Sequence, residues 1–228
     1  MVEKQAVTPA GKVDRAGAWQ RSIAICGCGD PVEFRILGSV EVTVGPEISI
    51  SALRRLFTSK GHAATISKRE QGYVLEIGAG QLDSQRFDAL VAAARAARDA
   101  GQADLAVANY RDALRLWRGP ALEGIDSQSL QATVSRLDEQ RIAANEERIE
   151  LELDLGRHHE LVGELSELVG WFLLRERLRG HLMLALYRCG RQADALAVYR
   201  QTRHTLIDEL GIEPGERLRR LEQAILTL

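Results

Sequence analysis

The sequence predicts a mainly α-helical protein, a stack of helical hairpins (three units plus a C-terminal helix) preceded by a small α+β segment. Three observations lead there. From Asp83 to Leu228, apolar residues recur at helical spacing almost without a break. Glycines interrupt that stretch at intervals, and the residues after two of them repeat. Ahead of it the pattern is the period-two alternation of short strands.

The chain has 228 residues, 45% hydrophobic and 27% charged, a composition suited to one or two globular domains with ordinary cores. A formal net charge of -2 gives no global attraction to nucleic acid, so any DNA affinity has to come from a local patch. No apolar run approaches the ~20 residues of a membrane helix, and the Ala18–Cys28 stretch is too short and polar for a signal-peptide core. Three cysteines are too few for a disulfide framework and fit a reducing cytoplasm.

Taking the elements in order, residues 1–30 lack apolar periodicity and are expected to form a poorly ordered leader with a short strand at Ser22–Cys26. Residues 31–81 read as a small β/α segment. Val32–Leu37 and Val40–Val44 alternate around Gly38-Ser39, which predicts two strands and a turn. A short helix follows, with Leu53, Leu56 and Phe57 on one face, Arg54 and Arg55 beside them, and Gly61 as its stop. Ala64–Ser67 and Tyr73–Ile77 then flank the polar run Lys68-Arg69-Glu70-Gln71-Gly72, a hairpin with a charged tip. Residues 82–228 carry the helices, roughly seven of them, punctuated at Gly101, Gly119-Pro120, Gly156, Gly190 and Gly211–Pro214.

The repeat decides how those helices associate. Gly101 is followed by Ala106, Ala108, Tyr110 and Arg111, and Gly190 by Ala195, Ala197, Tyr199 and Arg200 at the same offsets. Gly156 heads a more divergent unit with Leu161, Val162 and Leu165, and its distance from Gly190 fits the ~34-residue tetratricopeptide period. The first unit is longer, with an insertion around Trp117–Pro120. Each glycine turns the chain between antiparallel helices, the alanines allow close approach, and Leu114, Leu182, Leu186 and Tyr199 fill the space between hairpins. One unit cannot bury its own face, so three must stack, which is the architecture of a tetratricopeptide-like binding platform.

Several strings also match a known family in order: Trp117-Arg118-Gly119-Pro120-Ala121-Leu122, Leu155–Val162, Leu174-Arg175-Glu176-Arg177-Leu178, Leu182–Leu196 and Glu209–Gly215. From Leu82 to Leu228 the chain resembles the bacterial transcriptional activation domain of the Streptomyces antibiotic regulatory protein family. Phe34–Val42, Ile50–Leu56 and Gln71–Leu75 resemble parts of that family's winged helix. Only Gly45–Ser49 stands where members place two further helices, so the resemblance implies a truncated winged-helix-like segment. A helix-turn-helix reads DNA because its first helix braces the second in the major groove. Arg54, Arg55, Lys60, Lys68 and Arg69 form a basic set that is expected to touch phosphates, contacts that position a protein without conferring sequence specificity.

No catalytic residue, metal ligand set or cofactor motif is evident. Cys26-Gly27-Cys28 lacks the further ligands a zinc site needs at recognisable spacing. His158-His159 opens a helix after Gly156 and reads as part of a hairpin turn. The Walker loop, G-x-S-x-G and H-E-x-x-H strings are missing. Glu146, Glu147 and Arg148 read as a salt-bridged solvent face. Trp171-Phe172 stands in a connection where related sequences have a polar residue and a proline. It reads as core filling or, with Tyr187, as the anchor for a partner or the wall of a ligand pocket.

The expected function is a cytoplasmic, non-enzymatic regulator of antibiotic or secondary-metabolite genes acting through protein contact, with RNA polymerase or another regulator as partner and homodimerisation open. Two alternatives stand beside it: a DNA-binding activator with a shortened winged helix, and an accessory subunit or small-molecule carrier of a biosynthetic pathway.

Overall fold

A computed structural model describes residues 33–38, 41–43, 65–69, 72–78, 80–125 and 127–227. The expected leader, the strand at Ser22–Cys26, the Cys26–Cys28 pair and the helix over 50–58 lie outside the described residues. The chain divides into two compact units, Met1–Gln85 with Leu122–Ile125, and Arg86–Ala121 with Asp126–Leu228.

The described part of the first unit holds two antiparallel hairpins. Strands β1 (Glu33–Arg35) and β2 (Glu41–Thr43) pair with Phe34 opposite Val42. Strands β3 (Thr65–Arg69) and β4 (Gly72–Glu76) pair with Lys68 opposite Tyr73 and Arg69 opposite Gly72, the antiparallel pairing that the predicted hairpin requires. The segment after β1 is held from two sides. The Ile36 and Leu37 amides donate to the Asp83 carboxylate at 2.9 and 3.0 Å, while the carbonyls of Ile36 and Gly38 accept from the amides of Leu122 and Glu123 at 2.8 and 3.0 Å. Leu37 is fully buried there.

Seven α-helices are described: α1 (Asp83–Asp99), α2 (Ala103–Arg115), α3 (Gln131–Asp154), α4 (His158–Trp171), α5 (Glu176–Arg188), α6 (Gln192–Leu210) and α7 (Glu216–Thr227), with a 3-10 turn at Gln128–Leu130 before α3. The hairpins close as the glycines require. After α5, Gly190 takes φ 75°, its amide donates to the Tyr187 carbonyl at 2.9 Å, and Arg191 donates to Leu186 at 2.9 Å. This pair of bonds is the Schellman closure, which needs a left-handed residue where a Cβ is costly. Gly101 and Gly156 repeat it after α1 and α3.

Packing follows the repeat, with one correction. Ala106, Ala195 and Tyr110 are fully buried and Tyr199 nearly so, but Ala108 and Ala197 are exposed. The buried alanine and tyrosine of each unit are four residues apart and share a face, whereas the second alanine points away from it. Only the first alanine, therefore, permits close approach. Along the stack α5 packs on its hairpin partner α6 and also touches α3 and α7. The main core joins these layers through Leu153, Leu165, Leu178, Met183, Tyr199 and Ile225. The insertion after α2 folds onto the same unit. Trp117 is buried, meets Phe87 edge-on with centroids 5.7 Å apart, and lies 4.9 Å under the Arg141 guanidinium.

Candidate partner-binding site

The connection between α4 and α5 presents apolar surface and is held rigidly. Trp171, Leu173 and Leu174 are 72%, 54% and 48% exposed, while Phe172 between them packs against the core. Single exposed apolar residues need no explanation, but three in four positions make a candidate contact patch. Arg179, one turn into α5, fixes the backbone beneath them. Its Nε and Nη2 donate to the Leu173 carbonyl at 3.0 and 2.7 Å, and its Nη1 donates to Thr202 Oγ1 at 3.1 Å. Arg179 is 2% exposed, its acceptors are neutral oxygens, and burial lowers its pKa. Burying a guanidinium opposite neutral acceptors is costly, and its three hydrogen bonds tie the Leu173 carbonyl to α5 and α6.

The α6–α7 connection is fastened to the same turn. Glu176, the first residue of α5, accepts from the Gly215 amide at 2.7 Å. Leu210, the last residue of α6, and Ile212 in that connection are about half exposed. Two apolar loops are thereby tied to one end of α5, giving an edge suited to an apolar or aromatic anchor from another protein.

Behind that edge runs a lattice of ion pairs centred on α3, which corrects the expectation of a solvent face at Glu146–Arg148. Glu146 and Arg148 are 7% and 4% exposed, and Glu152 is 1% exposed. Arg148 donates to Glu152 at 3.0 Å and to Glu164, and Arg111 reaches Glu152 at 2.8 Å. Arg177 of α5 bridges Glu146 at 3.2 Å and Glu150 at 2.5 Å. Glu147 accepts from Arg95 at 2.7 Å and from the Tyr110 hydroxyl at 2.5 Å. The Arg95 hydrogen bond holds Glu147 below the usual carboxylate range, while burial and the Glu147 bond push Tyr110 up to about 12. These charges fasten α3 between its neighbours. Their sequence spacing shows pairing but not burial, because α3 is covered by partners from α1, α2, α4 and α5, which its own spacing does not reveal.

The sequence-derived candidates separate in space. Trp171 is exposed and Phe172 turns inward. Tyr187 is half-buried against the core, about 16 Å along α5 from its first residue. The three side chains thus do not form one wall. Lys68 is exposed beside the β3–β4 tip, and Arg69 ends β3. Arg54, Arg55 and Lys60 lie outside the described residues. His158 begins α4, and burial, followed by nearby Arg188, lowers its pKa. Sequence reasoning missed Arg179 and the Leu173-Leu174 pair; the only signal for them was two leucines next to a turn. Among the described residues no group of three or more His, Cys, Asp or Glu side chains is placed to hold a metal ion, and no helix is long and apolar enough to cross a membrane.

Stacked hairpins of this period, with an enclosed charged helix and an apolar edge, define a tetratricopeptide-like helical-repeat module. Residues 82–226 match the bacterial transcriptional activator domain family, and the chain belongs to it. It is 47% identical over 156 residues to the regulatory protein AfsR of Streptomyces coelicolor, covering 68% of this chain and 16% of that protein. It is 40% identical over 156 residues to the regulatory protein DnrI of Streptomyces peucetius, covering 57% of it. A solved structure of Mycobacterium tuberculosis EmbR in complex with a low affinity phosphopeptide superposes with a TM-score of 0.74 at 28% identity, over 86% of this chain and 65% of that one. The chain therefore spans only part of the length of these relatives. Its family is one of transcriptional regulators.

Proposed function

We propose that this chain regulates antibiotic or other secondary-metabolite genes mainly through protein contact made by residues 82–228, with RNA polymerase or another regulator as the partner. In this reading residues 31–81 are a truncated winged-helix-like segment and residues 1–30 a leader. The observation that carries the proposal is the exposed Trp171-Leu173-Leu174 edge on a backbone clamped by Arg179. A rigid aromatic anchor next to aliphatic side chains is the usual centre of a protein interface. The regulators matched over the helical region support the same reading.

The test is retention of purified Streptomyces RNA polymerase holoenzyme on the immobilised chain. The wild-type chain is expected to retain it, and Trp171→Ala with Leu174→Glu to weaken retention at least tenfold, about 1.4 kcal/mol or more, with helix content unchanged. Equal retention by both chains rules the edge out. A second reading, DNA contact through the first unit, is favoured by the exposed Lys68 beside its hairpin tip. Sequence-selective shifting of promoter fragments that survives raised salt, and is weakened by Lys68→Ala, would displace the protein-contact reading.

A further inference from the structure

The end of α5 that carries the exposed aromatic edge also carries a cavity. It holds about 380 Å³ between α5 and α7, with Glu176, Gly180 and Leu184 of α5 and Leu218 and Leu221 of α7 among its lining residues. Trp171, 72% exposed, precedes Glu176 by five residues, and even a fully extended chain keeps the two within about 18 Å. We propose that this edge closes on a second copy of the chain about a twofold axis, each Trp171 entering the α5–α7 cavity of the other.

Self-complementarity carries the proposal. In a twofold dimer the same patch faces itself, so an anchor needs its receptor on that patch. An edge with only an exposed tryptophan has to find its pocket on a different protein, whereas this edge presents both. The anchor is a large ring on a backbone held by the Arg179 hydrogen bonds to the Leu173 carbonyl, so little freedom is lost when it is covered. Leu173, Leu174, Leu210 and Ile212, each about half exposed, surround it with apolar surface that excludes water on closure.

The receptor fits an indole in both its walls and its polar group. Leu184, Leu218 and Leu221 make the walls apolar, and Gly180 leaves unfilled the space a side chain would take, since its Cβ would meet Leu218 and Leu221 at 3.5 and 3.9 Å. A buried indole needs an acceptor for its N–H. Glu176 lines the cavity and uses Oε2 for the Gly215 amide at 2.7 Å, and a carboxylate accepts more than one bond. The bordering charges do not oppose closure. Arg175 is paired with Glu139, Arg177 with Glu146 and Glu150, Arg217 with Glu150, and Glu213 with Arg203. Two copies therefore meet without bringing these charges together unpaired.

The proposal uses the same edge as the partner reading but needs no other protein, so each can fail alone. It is tested by sedimentation velocity of the full chain over a concentration series, where a reversible monomer–dimer equilibrium is expected. Trp171→Ala removes the anchor and Gly180→Met fills the cavity, and each is expected to weaken the dimer roughly tenfold or more. Mixed in equal amounts, the two variants are expected to associate more tightly than either does alone, because the intact Trp171 of one meets the open cavity of the other. If Gly180→Met fails to fold by circular dichroism, Leu221→Phe fills the same space from α7. A chain that stays monomeric up to its solubility limit overturns the proposal and leaves the edge to a different protein. A dimer unchanged by either variant, or a mixture no tighter than its components, overturns it too and assigns self-association to another surface. Retention of RNA polymerase is read separately and decides none of these outcomes.

Discussion

Glu147 is the residue at which α1, α2 and α3 are joined, since it takes hydrogen bonds from Arg95 and from Tyr110. Glu147→Gln keeps the shape but weakens both bonds, and is expected to lower unfolding stability by about 1–3 kcal/mol in urea titration. The Arg95 bond depresses the Glu147 pKa, so this stabilisation is present above the ordinary carboxylate value and is lost as pH falls below it. His181 acts in the same direction in a different window. Its pKa drops from 6.5 to about 4 on burial, so the folded state binds fewer protons than the unfolded chain between those values. Stability is expected to fall by up to about 3 kcal/mol as pH is lowered from 6.5 to 4, and His181→Phe to flatten that part of the profile. A thermal-melting series against pH checks both. Neither position stands out in the sequence: a histidine in Arg-Gly-His-Leu and a glutamate among glutamates acquire their roles only from what packs over them.

At the scale of elements, the hairpins are punctuated by glycines that behave differently according to their backbone. Gly190 holds a left-handed conformation, so Gly190→Ala is expected to cost about 1–2 kcal/mol even though a Cβ there meets nothing within 4 Å. Gly163 lies inside α4 with equally open surroundings and no positive φ. Gly163→Ala is expected to stabilise by about 0.5–1 kcal/mol, because it removes backbone freedom from the unfolded chain. Chemical denaturation of the two variants should give opposite signs. The positions of the hairpin turns were legible in the sequence for this reason, since a left-handed closure selects glycine locally. The depth of α3 was not, because alternating Glu and Arg at helical spacing look the same whether water or two further helices cover them.

For the whole molecule, the consequence is that the outer edge and the inner lattice have separable effects. Trp171 is largely in water, so Trp171→Ala is expected to change thermal stability by less than about 0.5 kcal/mol while reducing partner retention. Arg179→Met is expected to do the reverse in part: it removes the clamp on the Leu173 carbonyl, loosening the α4–α5 loop and exposing its amides to faster hydrogen exchange. The helical stack, its period and its family were determined by the sequence alone, through glycine closures and a repeated alanine–tyrosine face that depend on residues close together in the chain. Tertiary structure alone decided that Phe172 turns inward while Trp171 faces out, that the charges of α3 are enclosed, and that Leu184, Leu218 and Leu221 line a cavity between α5 and α7. The physical reason is burial. Each of these features depends on which distant helix covers a side chain, and the packing of α5 against both α3 and α7 is a property of the stack rather than of any local string.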